Sequence, residues 1–427
     1  MKIRILAALL TLCLLLTCLS PLLVGCSAKD SDGGVITLYV YNWGEYISDG
    51  SEGSPDVNEM FEEWYFKTYN KRVKVNYSTY SSNESMYAKI SSGSVNYDVI
   101  VPSDYMVERL IAEDLLAKLD YSNIPEIGNI LSRFQGADYD PDNNADGYSD
   151  YSVPYLYGMI GIIYNKTMVD EKDIGGWDLL WNEDYTGNIL QFNNSRDAFG
   201  AAMYSLGLWD QINTDDEVTW RRALEALKAQ KPILQGYVMD EIYNKMENGS
   251  AAVAAYYAGD YLTMYENNGD LEFYYPREGT NLYVDAMCVP KASQNKEIAE
   301  RYINFMLQKA PAIANAEYTY YASPNRLVVE DEDYIAYMNE IKDDGYDKMY
   351  LTKDTDGNDV KTSSYRNLQG DKLLLLNNLW EELKSDISVS GGIYALCGVI
   401  LSSLIGLSVF LFVRRKRRRR IVEGLWQ

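Results

Sequence analysis

The most informative absence from this sequence of 427 residues is histidine, which does not occur at all. Without histidine the chain cannot use Ser-His-Asp or Cys-His nucleophile chemistry, and it lacks the commonest zinc ligand. Cysteine is scarce as well. Cys13 and Cys18 lie in the N-terminal apolar stretch, Cys26 follows it, and Cys397 lies in a C-terminal apolar run, which leaves Cys288 alone. The sequence therefore predicts no disulfide framework, and Cys288 is interpreted as a small buried side chain.

Basic residues are few over most of the chain. Residues 26–413 carry 30 Lys and Arg against 61 Asp and Glu, a net charge of −31. Such a field repels nucleic acid and anionic surfaces, and it draws cations inward. The simpler interpretation is that the acidity only keeps a surface protein soluble.

The N-terminal segment is typical of a secretory signal. Lys2 and Arg4 precede a nearly continuous apolar run, and Leu-Val-Gly-Cys at 23–26 resembles a bacterial lipoprotein box. We predict a lipoprotein signal peptide over 1–25, lipidation of Cys26, and a tether over 26–35. The alternative is an ordinary signal peptide with an incidental cysteine.

The C-terminal segment carries a second membrane signal. Residues 393–413 are apolar or small and uncharged, which at 1.5 Å per residue spans roughly 30 Å. An Arg- and Lys-only run at 414–420 follows. Because basic flanks stay cytoplasmic, we predict a transmembrane helix over 393–413, a cytoplasmic tail over 414–427, and an extracytoplasmic domain before them. Nucleic-acid binding by the arginine run and a cleaved wall-sorting signal are weaker alternatives.

The region between the two ends predicts an α/β fold. Strand-like runs occur at 36–41, 73–77, 97–101, 159–164, 189–192, 251–256 and 282–289, with helical patterns between many of them. The first helix is expected to start at Ser54-Pro55 and a later one to be capped by Asn83. Further helices are predicted over 196–206, 218–229, 296–308 and 371–383. This alternation favours a largely parallel sheet flanked by helices.

Rings and carboxylates recur just after these strands, where open α/β sheets bind ligands. The set comprises Trp43, Glu45, Tyr46, Ser103, Tyr105, Asn194, Asp197, Tyr257, Asp260, Tyr283 and Asp285. A flexible polycation needs such a set, because methylene groups lie on rings and each ammonium group finds a carboxylate or a ring face. Any one of these residues could instead be a helix cap or a core ring.

Several strings resemble the bacterial spermidine/putrescine-binding protein family. They are VYNWGEYI at 40–47, YDVIVPSDY at 97–105, GWDLLWNEDYTGNI at 176–189, YYAGDY at 256–261, YVDAMCVP at 283–290 and YYASPN at 320–325. The likeness covers roughly residues 36–388. It implies a two-lobed periplasmic-binding-protein fold (type II-like), with a polyamine bound in the cleft and delivered to an ABC permease and its ATPase.

The resemblance also implies roles for individual residues. Trp43, Tyr46, Tyr105, Tyr257, Tyr283 and Tyr321 match rings that line the family's cleft. Asp197, Asp260 and Asp285 match carboxylates that receive amino groups, and Glu45 and Ser103 match lesser polar contacts. Two positions depart from the family's pattern. Asn194 stands where some members have aspartate, and Arg366 replaces a glutamine near the distal end of the site, either facing the ligand, pointing away or neutralising a carboxylate.

The resulting prediction is a binding protein for putrescine or spermidine and not an enzyme, with no cofactor. Lobe 1 is assigned to 36–152 and 286–321, lobe 2 to 153–285 and 322–388, and the hinges to 151–154, 283–286 and 320–323. The alternatives are a module that binds another small cation or a sugar, without a transport role, and a hydrolase with paired carboxylates. An acidic run at 142–150 matches half of a calcium loop, but Val153 stands where a bidentate Glu belongs, so no metal is assigned.

Overall fold

The computed structural model describes residues 34–143, 145, 147–385 and 402–403. The predicted signal peptide, Cys26, the cytoplasmic tail and all but two residues of the predicted span therefore lie outside the described residues. Within the described ranges, no helix is both long enough and apolar enough to cross a bilayer.

The first lobe is built on three parallel strands. They are β1 (Ile36–Trp43), β2 (Val73–Tyr80) and β3 (Val99–Ile100), with β1 in the middle. Helices α1 (Val57–Tyr69), α2 (Asn83–Ser92) and α3 (Asp104–Ala112) follow the three strands in turn. Helix α1 buries Val57, Phe61 and Tyr65, which are spaced by one turn and form one apolar face.

Two predicted helix starts are wrong by one or more residues. Helix α1 is capped by Asp56, whose carboxylate accepts the Glu59 N–H, because residues 51–53 form a separate 3-10 turn ahead of it. Helix α2 is capped by Ser82 in a capping box with Ser85, not by Asn83. The Asn83 side chain is thereby left to serve another contact.

Two long strands join the halves of the molecule. Strands β4 (Ser152–Asn165) and β9 (Thr280–Cys288) are antiparallel, and β9 also pairs with β3 through Ile100 and Cys288. The strand predicted from the sequence covers only residues 159–164 of β4. The missed part includes Pro154, which lies where the register shifts, and proline is tolerated at such irregularities.

The second lobe is built around the far end of β4. There β4 pairs with β7 (Val253–Tyr257) and β8 (Leu271–Tyr274), and β7 continues to β5 (Ile189–Phe192) and β6 (Leu234–Val238). The strand order is β2-β1-β3-β9-β4-β7-β5-β6, with β8 on β4 and β10 (Thr362–Ser363) on β9. Because β4 runs antiparallel to its neighbours, the sheet is mixed and not largely parallel as predicted.

Four helices lie between the strands of this part of the chain or follow them. They are α4 (Ser195–Ser205), α5 (Glu217–Gln230), α6 (Glu241–Glu247) and α7 (Ala258–Asn267). The C-terminal part of the domain adds α8 (Lys296–Met306), α9 (Lys309–Thr319), α10 (Arg326–Val329), α11 (Glu332–Ile341), α12 (Gly345–Tyr350) and α13 (Asp371–Ser385). The chain meets the crossover strands a third time at Ala322, which pairs with Tyr157.

Candidate ligand-binding cavity

A narrow cavity of about 100 Å³ lies between the two lobes, beside β9. All of the predicted cleft residues except Arg366 line it. They are Trp43, Glu45, Tyr46, Ser103, Tyr105, Asn194, Asp197, Tyr257, Asp260, Tyr283, Asp285 and Tyr321. Most of these residues end or follow a strand or lie on the crossover strand β9, and strand ends converge at one edge of a sheet. Tyr321 instead follows helix α9, where the chain crosses between the lobes for the third time.

The turn after β1 shows how the backbone aims side chains into the cavity. Glu45 has a φ of 49°, in the left-handed region that residues with a side chain rarely adopt. This turn carries both Trp43 and Tyr46 to the cavity wall, and the Trp43 indole N–H is fixed by the Val101 carbonyl at 3.0 Å. Such backbone conformations cluster at functional sites, where the surrounding structure holds them in place.

The Asp285 carboxylate lies on the crossover strand and is buried. It accepts one hydrogen bond from the Ser103 hydroxyl at 2.6 Å and another from the Tyr46 hydroxyl at 2.7 Å. Burial raises the pKa of Asp285 to about 6, and the two hydroxyl donors only partly offset that shift. Both partners are neutral, so among the described residues the negative charge of Asp285 has hydrogen bonds but no ion pair.

The Asp260 carboxylate repeats this arrangement on the second lobe. It lies in the first turn of α7 and accepts the Tyr243 hydroxyl at 2.6 Å and the Tyr321 hydroxyl at 2.9 Å. Burial raises the pKa of Asp260 to about 7. Tyr321 comes from the third chain crossing, so this site depends on a distant segment as well as on the strand that precedes it.

The Asp197 carboxylate is supported by a ring and an amide. The Tyr257 hydroxyl donates to it at 2.6 Å and the Asn194 amide at 2.7 Å, while the Asn194 carbonyl oxygen caps α4 by accepting the Asp197 N–H. Burial is the main cause that raises the pKa of Asp197. Asn194 thus lines the cavity as a support for a carboxylate.

The charge balance of the cavity wall strongly favours a cation. Among the described residues that line it, the carboxylates are Glu45, Glu84, Asp104, Asp197, Asp240, Asp260 and Asp285, whereas Arg196 is the sole cation. The Arg196 guanidinium is directed elsewhere, donating to the Ile212 carbonyl at 3.0 Å and to the Asn213 side chain. Asp104, Asp197, Asp260 and Asp285 are buried, and buried like charges are costly unless a cation enters or some carboxylates bind protons.

Aromatic rings form the remaining walls. The Tyr257 and Tyr283 rings meet edge to face at 5.4 Å, as do the Tyr46 and Tyr321 rings at 4.8 Å. The Trp43 ring lies tilted against a further lining ring, that of Tyr80. Ring faces attract cations and also cover methylene groups, so these walls suit an elongated molecule with charged ends.

Comparison with known proteins identifies the family. Residues 59–343 match the family described as bacterial extracellular solute-binding protein. The chain belongs to this bacterial extracellular solute-binding protein family. It is 33% identical over 299 residues to the spermidine/putrescine-binding periplasmic protein of Salmonella typhimurium, covering 70% of this chain and 79% of that one. The Escherichia coli protein of the same name is 32% identical, with 71% and 82% covered.

A solved structure supports the same relationship. The spermidine/putrescine substrate-binding protein of an ABC transporter from Streptococcus pneumoniae, solved with calcium and HEPES, superposes with a TM-score of 0.62 at 31% identity. The superposition covers 82% of this chain and 98% of that one. The resemblance predicted from the sequence strings is thereby confirmed, and the two-lobed periplasmic-binding fold is that of the family.

Several lining residues of this solute-binding protein were not predicted. Asp240 and Tyr243 follow β6, a strand whose Gln-Gly interior hides the alternation that marks a strand. Asn83 was noted only as a helix cap, yet its amide donates to Ser103 and Tyr105 at 3.0 and 3.1 Å. Asp104, which begins α3 and lies between the predicted residues Ser103 and Tyr105, is buried, and burial raises its pKa to about 8. Position after a strand was the signal available in each case.

Arg366 is the one predicted cleft residue that the structure places elsewhere. Its side chain does not line the cavity. The guanidinium instead pairs with Glu108 at 2.7 Å and lies 3.6 Å from the Asp138 carboxylate. Of the orientations considered for Arg366, the structure has the one that points away from the cavity, because two carboxylates outside it attract the guanidinium.

The acidic run at 142–150 shows no metal-binding cluster among its described members. The Asp142 carboxylate accepts the Gly147 N–H at 2.8 Å, and Asp150 pairs with Lys118 at 2.7 Å. These contacts are those of a surface turn whose acidic side chains are held by backbone and lysine donors.

Proposed function

We propose that this protein captures a polyamine, putrescine or spermidine, outside the cytoplasm and delivers it to an ABC permease with its ATPase. The observation that carries the proposal is the set of buried carboxylates Asp197, Asp260 and Asp285, whose hydrogen-bond donors are neutral hydroxyl and amide groups. The names of the relatives support the same ligand class. In this proposal the carboxylates bind ammonium groups, and the rings of Trp43, Tyr257 and Tyr283 cover the methylene chain.

The expected affinity follows from a few such contacts. A hydrogen bond between an ammonium group and a carboxylate contributes roughly 1.5–3 kcal/mol, and a cation over a ring roughly 0.5–2 kcal/mol. Two ammonium ends, each with one such hydrogen bond and one ring contact, contribute roughly 4–10 kcal/mol before the cost of ordering a flexible chain, and micromolar affinity corresponds to about −8 kcal/mol.

We propose that the permease recognises the loaded protein by the closure of its lobes. Asp285 and its partners Ser103 and Tyr46 form one side of the cavity, while Asp197 and Asp260 lie in the first turns of α4 and α7. A ligand that bridges both sides stabilises the closed form, because only that form satisfies both sets of contacts. We propose lobe 1 as 36–152 with 286–321, lobe 2 as 153–285 with 322–388, and hinges where β4, β9 and residues 320–323 cross.

We also propose that the domain is held at the membrane. A lipid on Cys26 and a span over 393–413 would both keep the cavity near the permease, with the tail at 414–427 in the cytoplasm. Radiolabelled palmitate incorporation into the full chain, with a Cys26→Ser control, tests the lipid anchor. Protease protection of the arginine tail in sealed membrane vesicles tests the span.

Isothermal titration tests the ligand class. Putrescine, spermidine, spermine and a neutral sugar are titrated at low and high salt, and no turnover of any ligand is expected. We expect micromolar or tighter binding of a polyamine that weakens with salt, because the contacts are ionic. Tight binding of the sugar, insensitive to salt, would instead favour the alternative of a sugar module. If no polyamine gives a binding signal with folded protein that is free of carried-over ligand, the proposal is contradicted.

A further inference from the structure

Arg366 and Glu108 form a bidentate ion pair between the two lobes. The Arg366 Nε and Nη2 atoms donate to the two Glu108 carboxylate oxygens at 3.0 and 2.7 Å. The backbone N–H of the next residue, Asn367, donates to the same carboxylate at 2.8 Å. Glu108 thus receives three hydrogen bonds from one short segment, an arrangement stronger than a single surface ion pair.

Both partners are attached to rigid parts of their own lobes. The Arg366 backbone is held within the second lobe, since its N–H donates to Asn213 at 2.8 Å and its carbonyl accepts from Arg196 at 3.3 Å. Glu108 lies in the middle of α3, between residues whose side chains are buried in the first lobe. The ion pair therefore connects two firm elements and cannot follow a change in lobe separation by side-chain motion alone.

A second contact reinforces the pair. The Arg366 guanidinium also donates to the Asp138 backbone carbonyl at 3.2 Å, from the loop that follows the helical turns of lobe 1. Helix α3 begins at Asp104, which lines the cavity, and residue 365, directly before Arg366, lines it as well. The contact therefore lies beside the cavity, between α3 and residues 365–367.

We propose that Arg366 is a positioning residue that latches the closed lobes through Glu108, without touching the ligand. The proposal deepens the proposed function and rests on it for the effect on affinity. A protein-to-protein contact made only in the closed form raises the closed fraction, and apparent affinity rises in proportion to that fraction. The latch thus supplies part of the closure free energy that ligand contacts would otherwise supply.

The sign of the effect separates the latch from simple electrostatics. Arg366 is a cation that lies beside a site for cations. If it acted only by repelling the ligand, neutralising it would strengthen polyamine binding. The latch predicts weaker binding when Arg366 is neutralised. The double variant Glu108→Gln with Arg366→Gln leaves the net charge unchanged, so electrostatics predicts little change whereas the latch predicts a loss.

The experiment uses the full chain in lipid nanodiscs and radiolabelled putrescine. We expect Arg366→Gln and Glu108→Gln each to weaken putrescine binding about two- to tenfold, mainly through faster dissociation. The double variant should bind putrescine no more weakly than either single variant, because both substitutions remove the same ion pair. Arg109→Gln is the matched control, because Arg109 pairs with Glu113, the residue that follows α3, and this ion pair does not cross between lobes. Unchanged or tighter binding by Arg366→Gln overturns the latch.

A distance measurement keeps the test independent of the ligand. Spin labels at Ala88→Cys on α2 and Asn244→Cys on α6, in a background without other reactive cysteines, report lobe separation in the ligand-free protein. We expect Arg366→Gln to shift the distance distribution toward longer, open distances, and Arg109→Gln to leave it unchanged. An unshifted distribution overturns the latch even where putrescine binds, whereas a shift with no putrescine binding refutes the ligand class alone.

Discussion

Replacing Asp285 with asparagine is expected to separate binding from stability. The substitution keeps the size of the side chain and removes its charge. The Ser103 and Tyr46 hydroxyls that now donate to the carboxylate at 2.6 and 2.7 Å can rotate to satisfy an amide. The ammonium group of a ligand loses a charge-assisted hydrogen bond of roughly 1.5–3 kcal/mol, so the dissociation constant should rise about ten- to a hundredfold.

The same substitution should not weaken the ligand-free fold. Burial raises the pKa of Asp285 to about 6, roughly two units above its ordinary value, so keeping it ionised at pH 8 costs the native state about 3 kcal/mol. Asparagine removes that cost. We therefore expect Asp285→Asn to unfold at an equal or higher temperature than the wild type at pH 8, although it binds polyamine poorly.

Titration calorimetry and thermal unfolding at pH 8 measure the two effects. Asp98→Asn is the matched control, because Asp98 is also buried and accepts hydrogen bonds from Tyr39 and Ser293, but it does not line the cavity. That control should lose stability and retain affinity. Binding by Asp285→Asn within a factor of two of the wild type would refute the role given to Asp285.

Two further predictions follow from the same cavity. The pKa values of Asp260 and Asp285, about 7 and about 6, lie above those of the same groups in the unfolded chain. The two carboxyl groups therefore contribute their whole stabilisation of the folded state below about pH 4, where they are protonated in both states. That stability is lost as pH rises through 6 to 7, while polyamine affinity rises over the same window. Thermal unfolding and calorimetry between pH 5 and 8 check both trends, and an affinity independent of pH contradicts them. Gly259→Ala places a Cβ 2.2 Å from the Tyr321 ring, whose hydroxyl supports Asp260, so binding should weaken about tenfold in calorimetry. The control substitution Gly269→Ala, at a position with open space around it, should leave binding unchanged.

The cavity could be predicted from the sequence largely because strand ends are visible in it. Asp260 and Asp285 each belong to or follow a run of apolar residues, and the topology of α/β sheets brings such positions together. Which hydroxyl group supports which carboxylate could not be predicted in the same way. Tyr321 reaches Asp260 from a segment 61 residues away in sequence, and only the folded chain shows that contact.

The errors in the fold have local causes. Pro154 and the irregular register beside it concealed the first part of β4, and the Gln-Gly interior of β6 concealed that strand together with Asp240 and Tyr243 behind it. The position of Arg366 could not be decided from sequence, because its direction depends on Glu108, which lies 258 residues earlier in the chain.

A crystal structure of the two-lobed domain grown with putrescine tests the central claim most directly. The account predicts an elongated ligand between the lobes, with one ammonium nitrogen about 3 Å from an oxygen of Asp285 or Asp260 and the methylene chain against the rings. Putrescine bound elsewhere, or in the cavity with neither nitrogen on a carboxylate, would contradict the account.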